Sequence, residues 1–401
     1  ILLSTTGVSI TGNTIEGNDG PLELRNSNSI SMTDNTFDDD AVLLNSSSSV
    51  TFSNNAMSNS SLVLNASSSN TISGNNMTNS SVSLRSSPTN TFTSNEFSSS
   101  GKRTFVFEGD EADHDVDIQT SNTVGGRAIH YYYNDDAVNL ADADLGSVML
   151  AYCEDAIVTN TTVTDGDGVW VYQSPRAALQ VDVTNSLMGV TVDGGPGVDI
   201  SDSSINTSAR GWYGVRIADF SSGRITDSVV TTETAAPAFL IEDESDLNSY
   251  NTSFDGSAVD AVGGLLSVYN YMYIMVWDDG MLAPLENVDV LVTEDDVAVY
   301  STPHFGGTDA LTAADGTVNA ILLLDREYDH SNTATEHDHN VTVWVQIDAV
   351  YTESANLVDM GGPRHLVFEA ADIRAPATPL NVAVLDIPEQ DAISAAWDPN
   401  T

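Results

Sequence analysis

Lysine is almost absent from this sequence. Lys102 is the one lysine among 401 residues, and the other basic residues are arginines. The 12 Lys and Arg stand against 58 Asp and Glu, for a formal net charge of −46. Binding to nucleic acid needs clustered basic residues that displace counterions from phosphates, and attraction to an anionic membrane surface needs similar clusters. The composition therefore excludes both partners.

Cysteine and long apolar runs are equally scarce. Cys153 is the sole cysteine, so an internal disulfide and a Cys-based zinc site are excluded. We expect it to be a small buried hydrophobe on a strand over residues 148–153. No stretch reaches the roughly 20 apolar residues of a membrane helix, so we expect no direct membrane insertion of this segment. The abrupt start at Ile1 and end at Thr401 suggest a piece of a longer protein.

The excess of acidic residues indicates a folded protein in a high-salt environment, and not a disordered chain. Hydrophobic residues make up 41% of the chain, and the strongest blocks of charge are short, which disfavours a disordered polyanion. Dense negative charge repels itself unless salt or bound cations screen it. Acid-rich, lysine-poor surfaces of this kind resemble those of proteins from halophilic or marine archaea.

A repeat of about twenty residues runs through the first hundred positions. Its marker is an asparagine that follows Gly, Asp, Asn or Ser, with spacings of 22, 20, 20 and 20 residues, at Asn13, Asn35, Asn55, Asn75 and Asn95. One apolar residue precedes each marker, at Ile10, Met32, Phe52, Ile72 and Phe92. An alternating apolar pair follows each, as in Leu62 and Leu64. A low-complexity tract would lack such a fixed hydrophobic period.

Each repeat unit predicts two or three short strands with polar corners, and no unit contains a helical period. One unit cannot bury its apolar side chains alone, but stacked units line a continuous core. A corner Asn tolerates left-handed backbone angles and can hydrogen-bond the Asn of the next coil. The pattern continues, with looser spacing, at Asn160, Asn185, Asp202, Asp227 and Asn251. We predict an all-β chain that opens with a right-handed parallel β-helix over residues 1–262, with ten to twelve coils on the order of 50 Å long.

The pattern apolar-x-apolar-x-(Gly/Asp)-Asn-x-apolar, as in residues 30–37 (ISMTDNTF), resembles the β-helix superfamily of pectate-lyase-like enzymes and NosD-type repeat proteins. The resemblance implies the coil and says almost nothing about activity.

Two further modules are expected. Short strands with Gly/Asp turns over residues 266–372 predict a small Ig-like β-sandwich, similar to carboxypeptidase-regulatory-like or Cna-B-like modules, which are spacers in most proteins. Residues 376–401 are similar to the first two strands of a fibronectin type III domain, whose remaining strands are missing.

Calcium is the metal that the acidic turns favour, because hard carboxylate and carbonyl oxygens are its ligands. The candidate ligands are Asp165, Asp167, Asp193 and Asp199. The sequence 194–199 (GGPGVD) is similar to one calcium-binding nonapeptide repeat, in a single copy. Turn glycines beside solvated acids are the alternative interpretation. In the loop that contains His330, Glu336, His337, Asp338 and His339, the pair His337 and His339 is a candidate for binding Zn²⁺ or Cu²⁺, and simple exposure of that loop is the alternative.

Glycosylation is expected outside the cell. Asn-x-Ser/Thr acceptor sequences occur at Asn45, Asn59, Asn65, Asn76, Asn79, Asn160, Asn206, Asn251 and Asn340. A chain this rich in Ser, Thr and Asn also forms such sequences by chance, but several lie at predicted corners or loops where a glycan fits.

The sequence disfavours enzymatic activity but does not exclude it. The β-helix lyases use a Lys or Arg base near Ca²⁺, and the hydrolases use clustered aspartates beside basic residues. The available groups in the second half are Arg127, Arg176, Arg210, Arg216, Arg224, Asp193, Asp199, Asp202 and Asp219. In the alternative interpretation, the arginines are not catalytic and form local ion pairs on an acidic surface. Aromatic residues that can stack on sugar rings are Tyr131, Tyr132, Tyr133, Trp170, Tyr172, Trp212 and Tyr213.

The sequence thus favours an extracellular, glycosylated structural or adhesion protein of an archaeal cell surface, which self-associates or binds other surface proteins and assembles into a layer or filament. The runner-up is a carbohydrate-active β-helix that binds or cleaves an extracellular polysaccharide along residues 150–250. A role like that of NosD in copper-enzyme assembly ranks third.

Overall fold

The computed structural model describes residues 2–18, 20–98, 101–207, 211–233, 236–278, 283–347, 350–358, 360–370, 382–387 and 392–397. Almost all of this is β-structure, with two short 3₁₀ helices at Glu111–His114 and Pro303–Phe305. The chain divides into two compact units. The first comprises residues 1–247, 253–265 and 330–332, and the second comprises residues 248–252, 266–329 and 333–401. No helix in the described residues is long and apolar enough to cross a membrane.

Residues 2–124 form a first series of coils, in which three stacks of parallel strands surround one core. The first stack contains Leu2–Leu3, Leu22–Arg25, Ala41–Asn45, Ser61–Asn65, Ser81–Arg85 and Phe105–Glu108. The second contains Ser9–Thr11, Ser31–Thr33, Thr51–Ser53, Thr71–Ser73, Thr91–Thr93 and Asp117–Ile118. The third contains Thr14–Glu16, Thr36–Asp38, Ala56–Ser58, Asn76–Thr78, Glu96–Ser98 and Thr123–Val124. The predicted right-handed parallel β-helix is confirmed, and its strands keep the repeat register, as in Leu62 opposite Val82.

The core follows from the alternation within each short strand, because successive side chains point to opposite faces. In the third stack, Phe37, Met57, Met77 and Phe97 are no more than 2% exposed, while their neighbours in the sequence face outward. Equivalent apolar residues therefore lie above one another along the series. Each buried aliphatic or aromatic side chain of this size stabilises the fold by about 1.5–3 kcal/mol relative to an exposed one.

The predicted asparagine ladder is present at the corner between the second and third stacks. Each carboxamide nitrogen donates to the Oδ1 of the next asparagine, over 3.1, 3.0, 3.1, 2.8 and 2.8 Å, along Asn13, Asn35, Asn55, Asn75, Asn95 and Asn122. The left-handed angle falls on the residue before each ladder asparagine from Asn13 to Asn95, for example on Asn54 (φ 53°) and Ser94 (φ 53°). Two adjacent residues thus share the corner, one reversing the backbone and the other forming the ladder.

The coils form two successive series, because a β-hairpin interrupts the stack. Gly125 (φ 58°) and Gly126 (φ 78°) make a two-residue turn, and Thr123–Val124 pairs antiparallel with Arg127–Tyr133. Two positive φ angles are what a two-residue hairpin loop requires, and glycine adopts them without strain. The first and second stacks end at Phe105–Glu108 and Asp117–Ile118. The sequence pattern continues past this point and does not predict the interruption.

The second series of coils begins after the hairpin. One stack contains Arg127–Tyr133, Asp144–Ala151, the end of Ile157–Tyr172, Val190–Asp193, Val215–Ala218, Phe239–Ile241 and Val259–Asp260. The other strands are Asn139–Ala141, Ala178–Ser186, Pro196–Ser201, Ser204–Thr207, Ser222–Thr226, Val229–Thr231 and Asp246–Tyr250. Cys153 is fully buried, as predicted, but it follows the strand Asp144–Ala151 instead of lying on it. Its backbone N–H donates to Ser174 Oγ over 2.8 Å.

The second unit consists of two sheets that share an apolar core. One contains Leu265–Asp278, Ile321–Tyr328, Ala334–Glu336, Arg364–Ala370, Val382–Ile387 and Ala392–Trp397. The other is antiparallel and contains Asp289–Glu294, Val297–Ser301, His339–Ile347 and Val350–Val358. Met272 and Ile274 of the first sheet belong to the same buried cluster as Val290 and Val343 of the second. The first sheet is mixed, because Leu265–Asp278 pairs parallel with Arg364–Ala370 and antiparallel with Ile321–Tyr328.

The two sheets occupy the region predicted to be a sandwich over residues 266–372, while its Ig-like relationship stays a prediction. Of the predicted fibronectin type III segment over residues 376–401, the structure describes the antiparallel pair Val382–Ile387 and Ala392–Trp397. The rest of that segment lies outside the described residues. Its fibronectin type III relationship also stays a prediction.

Candidate functional site

The outer face of the second coil series carries a group of aromatic and charged side chains. In its parallel stack, the inner row of Val148, Val169, Val190, Val215 and Phe239 fills the core. The alternate residues point the other way, in two rows across successive coils. One row is Tyr131, Met149, Trp170, Thr191 and Arg216, and the other is Tyr133, Ala151, Tyr172, Asp193 and Ala218.

The end of the first series covers part of this outer face. Phe107 stacks on Tyr131 and Trp170, with ring centroids 5.4 and 5.5 Å apart. The Arg103 guanidinium lies 5.3 Å from the Trp170 ring centroid. As a result Trp170 is only 4% exposed although it faces away from the core of its own coils. The ring of Trp170, which was predicted to stack on sugars, is therefore covered by other residues of the protein.

A row of three tyrosines remains half-buried at the edge of the covered area. Tyr152 lies between Tyr133 and Tyr172, with its ring nearly perpendicular to both and its centroid 6.2 and 5.6 Å from theirs. His114, from the 3₁₀ helix Glu111–His114, stacks on Tyr172 at 4.6 Å. We call Tyr133, Tyr152 and Tyr172 the tyrosine row. Its rings pack against one another and against His114, and each of the three side chains is half-buried.

Carboxylates continue the same face over the next coils. Trp170 Nε1 donates to Asp193 Oδ2 over 3.0 Å, and Arg216 bridges Asp193 to Glu242, whose Oε2 lies 2.7 Å from Arg216 Nε. Burial alone would lower the pKa of the Arg216 guanidinium, but the two carboxylates outweigh it and the pKa is raised. The guanidinium is therefore a permanently charged structural bridge and cannot serve as a base.

An amide links two further coils beside the tyrosine row. Gln173 Nε2 donates to Asp219 Oδ2 over 2.9 Å, although the two residues lie two coils apart. The side chain can pass over the intervening coil because Gly194 is there, and a Cβ at that position would lie 1.9 Å from Gln173 Nε2. The face thus presents tyrosine hydroxyls, an amide and carboxylates within a few coils, which are the groups that hold hydroxylated ligands.

Burial raises the pKa of each tyrosine of the row, and carboxylates contribute to the shift. For Tyr133 the nearby charges are Glu111 and Asp115. For Tyr172 the hydrogen bond with Tyr152 opposes the rise in pKa, while Asp219 and Asp193 add to it. The phenols therefore stay protonated at neutral pH and can donate hydrogen bonds.

The four predicted calcium ligands all have protein partners. Arg127 Nη1 is 2.9 Å from Asp165 Oδ2, and Arg224 makes a two-pronged contact with Asp199 over 2.8 and 2.6 Å. Asp193 is engaged with Trp170 and Arg216, as described above. Within the described part of the chain, no three His, Cys, Asp or Glu side chains form a group that could hold a metal ion. Calcium binding stays a prediction without a site described by the structure.

Asp167 differs from the other three predicted calcium ligands because it is buried, at 3% exposure. Its Oδ2 accepts hydrogen bonds from the backbone N–H and the hydroxyl of Thr104, over 2.7 and 2.5 Å. Burial raises the pKa of Asp167, and Arg103 and Thr104 offset part of the rise. The residue joins the last coil of the first series to the second series, a structural role that the turn sequence did not reveal.

The arginines considered as catalytic bases are ion-pair partners wherever the structure describes them. Arg127, Arg176, Arg216 and Arg224 each contact at least one carboxylate. Arg210 lies outside the described residues. Lys102 donates to the backbone carbonyl of Asn59 over 3.2 Å, on the first series. The alternative interpretation of the arginines as local ion-pair partners is therefore confirmed for the four that are described.

The histidine loop of the second unit is likewise engaged. His337 Nδ1 lies 2.6 Å from Asp295 Oδ2, and the fully buried His339 has its Nε2 3.0 Å from the carbonyl of Leu324. His330 belongs to the first unit, where it lines a cavity considered below. Among the described residues, the structure does not bring the three histidines into one group.

The nine glycosylation acceptors divide by exposure. Asn59, Asn76, Asn160 and Asn340 are exposed, whereas Asn45, Asn65, Asn79, Asn206 and Asn251 are half-buried. Some side chains form ladders of their own, as where Asn79 Nδ2 donates to Asn59 Oδ1 over 2.7 Å. Their modification stays a prediction.

Sequence reasoning identified Tyr133 and Tyr172 as candidates and missed Tyr152, Gln173 and His114. The available signal for Tyr152 was its position 20 residues before Tyr172, which is one repeat. Nothing in the sequence indicates that His114 returns to stack on Tyr172, because that contact depends on the hairpin between the two series.

One family model matches the first part of the repeat. Residues 1–116 match the model of a family described as periplasmic copper-binding protein (NosD). The match covers the first coil series only, so it characterises that part of the chain. No curated protein sequence matches. The family's periplasmic description agrees with the predicted location outside the cytoplasm.

Copper does not suit the residues that match. They contain one histidine, His114, which is 1% exposed with its Nδ1 3.1 Å from the carbonyl of Asp110. They contain no cysteine, and Met32, Met57 and Met77 are buried in the core. Copper sites use imidazole, thiolate or thioether ligands that can reach the ion together. The family's copper also differs from the predicted calcium.

Two solved structures show weak likeness. A trypsin-treated variant of QnrB1, a plasmid-mediated fluoroquinolone resistance protein, is 10% identical and covers 59% of this chain and 91% of its own, with a TM-score of 0.19. The siphovirus 9NA tailspike receptor binding domain is 10% identical and covers 96% of this chain and 89% of its own, with a TM-score of 0.28. These scores are too low to bear on function.

Proposed function

We propose that this protein acts outside the cytoplasm as a non-enzymatic adhesion protein whose second coil series binds an extracellular polysaccharide. The observation that carries the proposal is the tyrosine row beside Gln173 and Asp219 on one outer face. Aromatic rings supply apolar contact area with a polar tip, while carboxylate and amide groups fix the orientation of hydroxyls.

Binding without catalysis is supported by the state of the basic groups on this face. Arg216 is held between Asp193 and Glu242, and Lys102 contacts the first coil series instead. A lyase needs a base within hydrogen-bonding reach of the proton that it removes. We therefore expect no unsaturated-sugar absorbance after incubation with any polysaccharide that binds.

Affinity electrophoresis against a panel of soluble polysaccharides tests the binding. The variant Tyr152→Ala combined with Tyr172→Ala should lose at least about tenfold in affinity for the polysaccharide that binds wild type. Tyr271→Ala, a half-buried tyrosine of the second unit, is the matched control and should bind as wild type does. Equal binding by all three proteins would overturn the proposal, as would retardation of wild type by no polysaccharide. Circular dichroism of each variant verifies that the coils are intact.

A second candidate is self-association into a layer or filament of a halophilic or marine archaeal surface, with calcium bridging acidic faces and glycans on the exposed acceptors. The net charge of −46 favours it, since divalent cations can join surfaces that otherwise repel. Electron microscopy of the full chain at high salt, with Ca²⁺ and then with chelator, tests it. A lattice or filament that dissolves on chelation supports this candidate, and separate particles in both conditions count against it.

A further inference from the structure

The charge around the tyrosine row is predominantly negative. Arg216 is shared by Asp193 and Glu242, so this bridge has one negative charge in excess. Asp219 adds another, since its partner Gln173 is neutral. Glu111, in the 3₁₀ helix whose His114 stacks on Tyr172, adds negative charge near the Tyr133 phenol. A ligand on this face therefore meets several carboxylates.

A cavity lies beside the turns that follow the last strands of the same parallel stack. The turn Glu242-Asp243-Glu244 follows Phe239–Ile241, one coil beyond the turn that contains Asp219, and the N–H of Phe220 donates to the carbonyl of Asp243 over 3.1 Å. The cavity has a volume of about 490 Å³ and is lined by Glu244, Asp246, Gly263 and His330. Tyr172 and Glu242 are three strand spacings apart, about 14 Å, so one extended ligand can reach both.

These charges discriminate among polysaccharides. A uronate polymer has a carboxylate on each sugar, which this face would repel, whereas an ammonium group gains from the carboxylates and from tyrosine rings. A neutral glycan gains neither attraction nor repulsion. Electrostatic complementarity sets specificity and association rate more than raw affinity, so charge should decide which glycan binds.

We propose that the ligand of this face is a glycan with free, protonated amino groups, such as a polymer of glucosamine, whose sugars lie along the tyrosine row while an ammonium group enters the cavity at Glu244 and Asp246. This inference rests on the proposed function, because it names the class of polysaccharide for the same site.

Calorimetric titration at one ionic strength tests the class with matched oligomers. The probes are a glucosamine hexamer, its fully N-acetylated counterpart and a galacturonate hexamer. The amino oligomer should bind wild type at least about tenfold more tightly than the acetylated one, and the galacturonate hexamer should not bind. Affinity for the amino oligomer should fall as salt rises, since the attraction is screened.

Two pairs of substitutions separate this face from the net charge of the protein. Glu244→Gln with Asp246→Asn, the two cavity acids, should remove the preference for the amino oligomer and leave binding of the acetylated one unchanged. Asp38→Asn with Asp39→Asn makes the same change of charge at exposed positions of the first series and should keep the preference. Equal loss in both pairs would show attraction by net charge alone and would overturn the inference.

The remaining outcomes distinguish the two proposals. If Tyr152→Ala weakens all oligomers equally and wild type shows no preference among them, polysaccharide binding stands and the amino-glycan class is wrong. If spermine, a cation without sugar, binds as tightly as the amino oligomer and Tyr152→Ala changes neither, both proposals are wrong.

Discussion

The carboxamide of Asn75 donates to Oδ1 of Asn95, one coil further along, over 2.8 Å. Both residues are 1% exposed. The same Asn75 nitrogen donates to the carbonyl of Phe52 over 3.0 Å, and its Oδ1 accepts from Asn55. A side chain that both donates and accepts can repeat along a column without leaving an unsatisfied group, which is why asparagine occupies this corner.

Asn75→Ala should therefore destabilise the first coil series by about 3 kcal/mol, because partners on two neighbouring coils are left buried without hydrogen bonds. Urea unfolding of unglycosylated protein measures the change. Asn76→Ala is the matched control, since Asn76 is the next residue and is exposed, and it should cost no more than about 0.5 kcal/mol. Similar costs for the two variants would contradict a structural role for the ladder.

Gly189→Ala should disrupt the second coil series. A Cβ at Gly189 would lie 1.9 Å from the carbonyl oxygen of Gly214 on the next coil, and backbone cannot move aside without breaking the register. The expected cost is at least about 2 kcal/mol in the free energy of unfolding. Gly20→Ala has open space around its Cβ and should change stability by no more than about 0.5 kcal/mol. Thermal unfolding of both variants, followed by circular dichroism, measures the two costs. Similar costs would contradict the prediction.

Asp167→Asn should stabilise the protein increasingly as pH rises. Because burial raises the folded-state pKa of Asp167 above its unfolded value of 3.8, the folded state binds more protons in the window between them. The penalty for ionising Asp167 is absent below the unfolded pKa and fully present above the folded pKa. Asparagine keeps an oxygen for Thr104 and removes the penalty.

Urea unfolding of wild type and Asp167→Asn over a series of pH values from 4 to 8 measures the difference. The stability of the variant minus that of wild type should grow with pH. Asp38→Asn, at an exposed acid of the first series, removes no burial penalty and should change stability by no more than about 0.5 kcal/mol at pH 8. A pH-independent difference for Asp167→Asn would contradict a raised pKa at that site.

Salt should stabilise this chain strongly, because its net charge of −46 repels itself in dilute buffer. The screening length falls from about 10 Å at 0.1 M salt to about 3 Å at 1 M. The urea midpoint should therefore rise over this range in NaCl. Sucrose, which favours burial without screening charge, is the comparison and should raise it less. A midpoint that is insensitive to NaCl would contradict adaptation to high salt.

The repeat could be read from the sequence because its physics is local. The spacing of Met57, Met77 and Phe97 predicts that each lies above the previous one, and the structure places them so. The corner asparagines predicted the ladder for the same reason, since side chains one period apart must stack. The paired glycines at 125 and 126 are a hairpin signal, but the surrounding repeat masked it.

The candidate site was only partly predictable. Tyr133 and Tyr172 belong to strands whose alternation shows that they face away from the core. Whether an outward side chain is free or covered depends on distant residues, and Trp170 is covered by Phe107 and Arg103, which lie more than sixty positions earlier. The partners of Asp167, Asp193 and Asp199 were likewise hidden, because a turn sequence does not reveal which basic or hydroxyl group will arrive beside it.

By itself the sequence determined the coil, its period, the composition of its core and the acidity of its surface, because each depends on spacing along the chain or on composition. Tertiary structure alone decided where the first series ends, which part of the outer face it covers and which acids share an arginine. Those features arise when segments far apart in the chain meet, and the free energy of such contacts depends on burial and distance that no local pattern encodes.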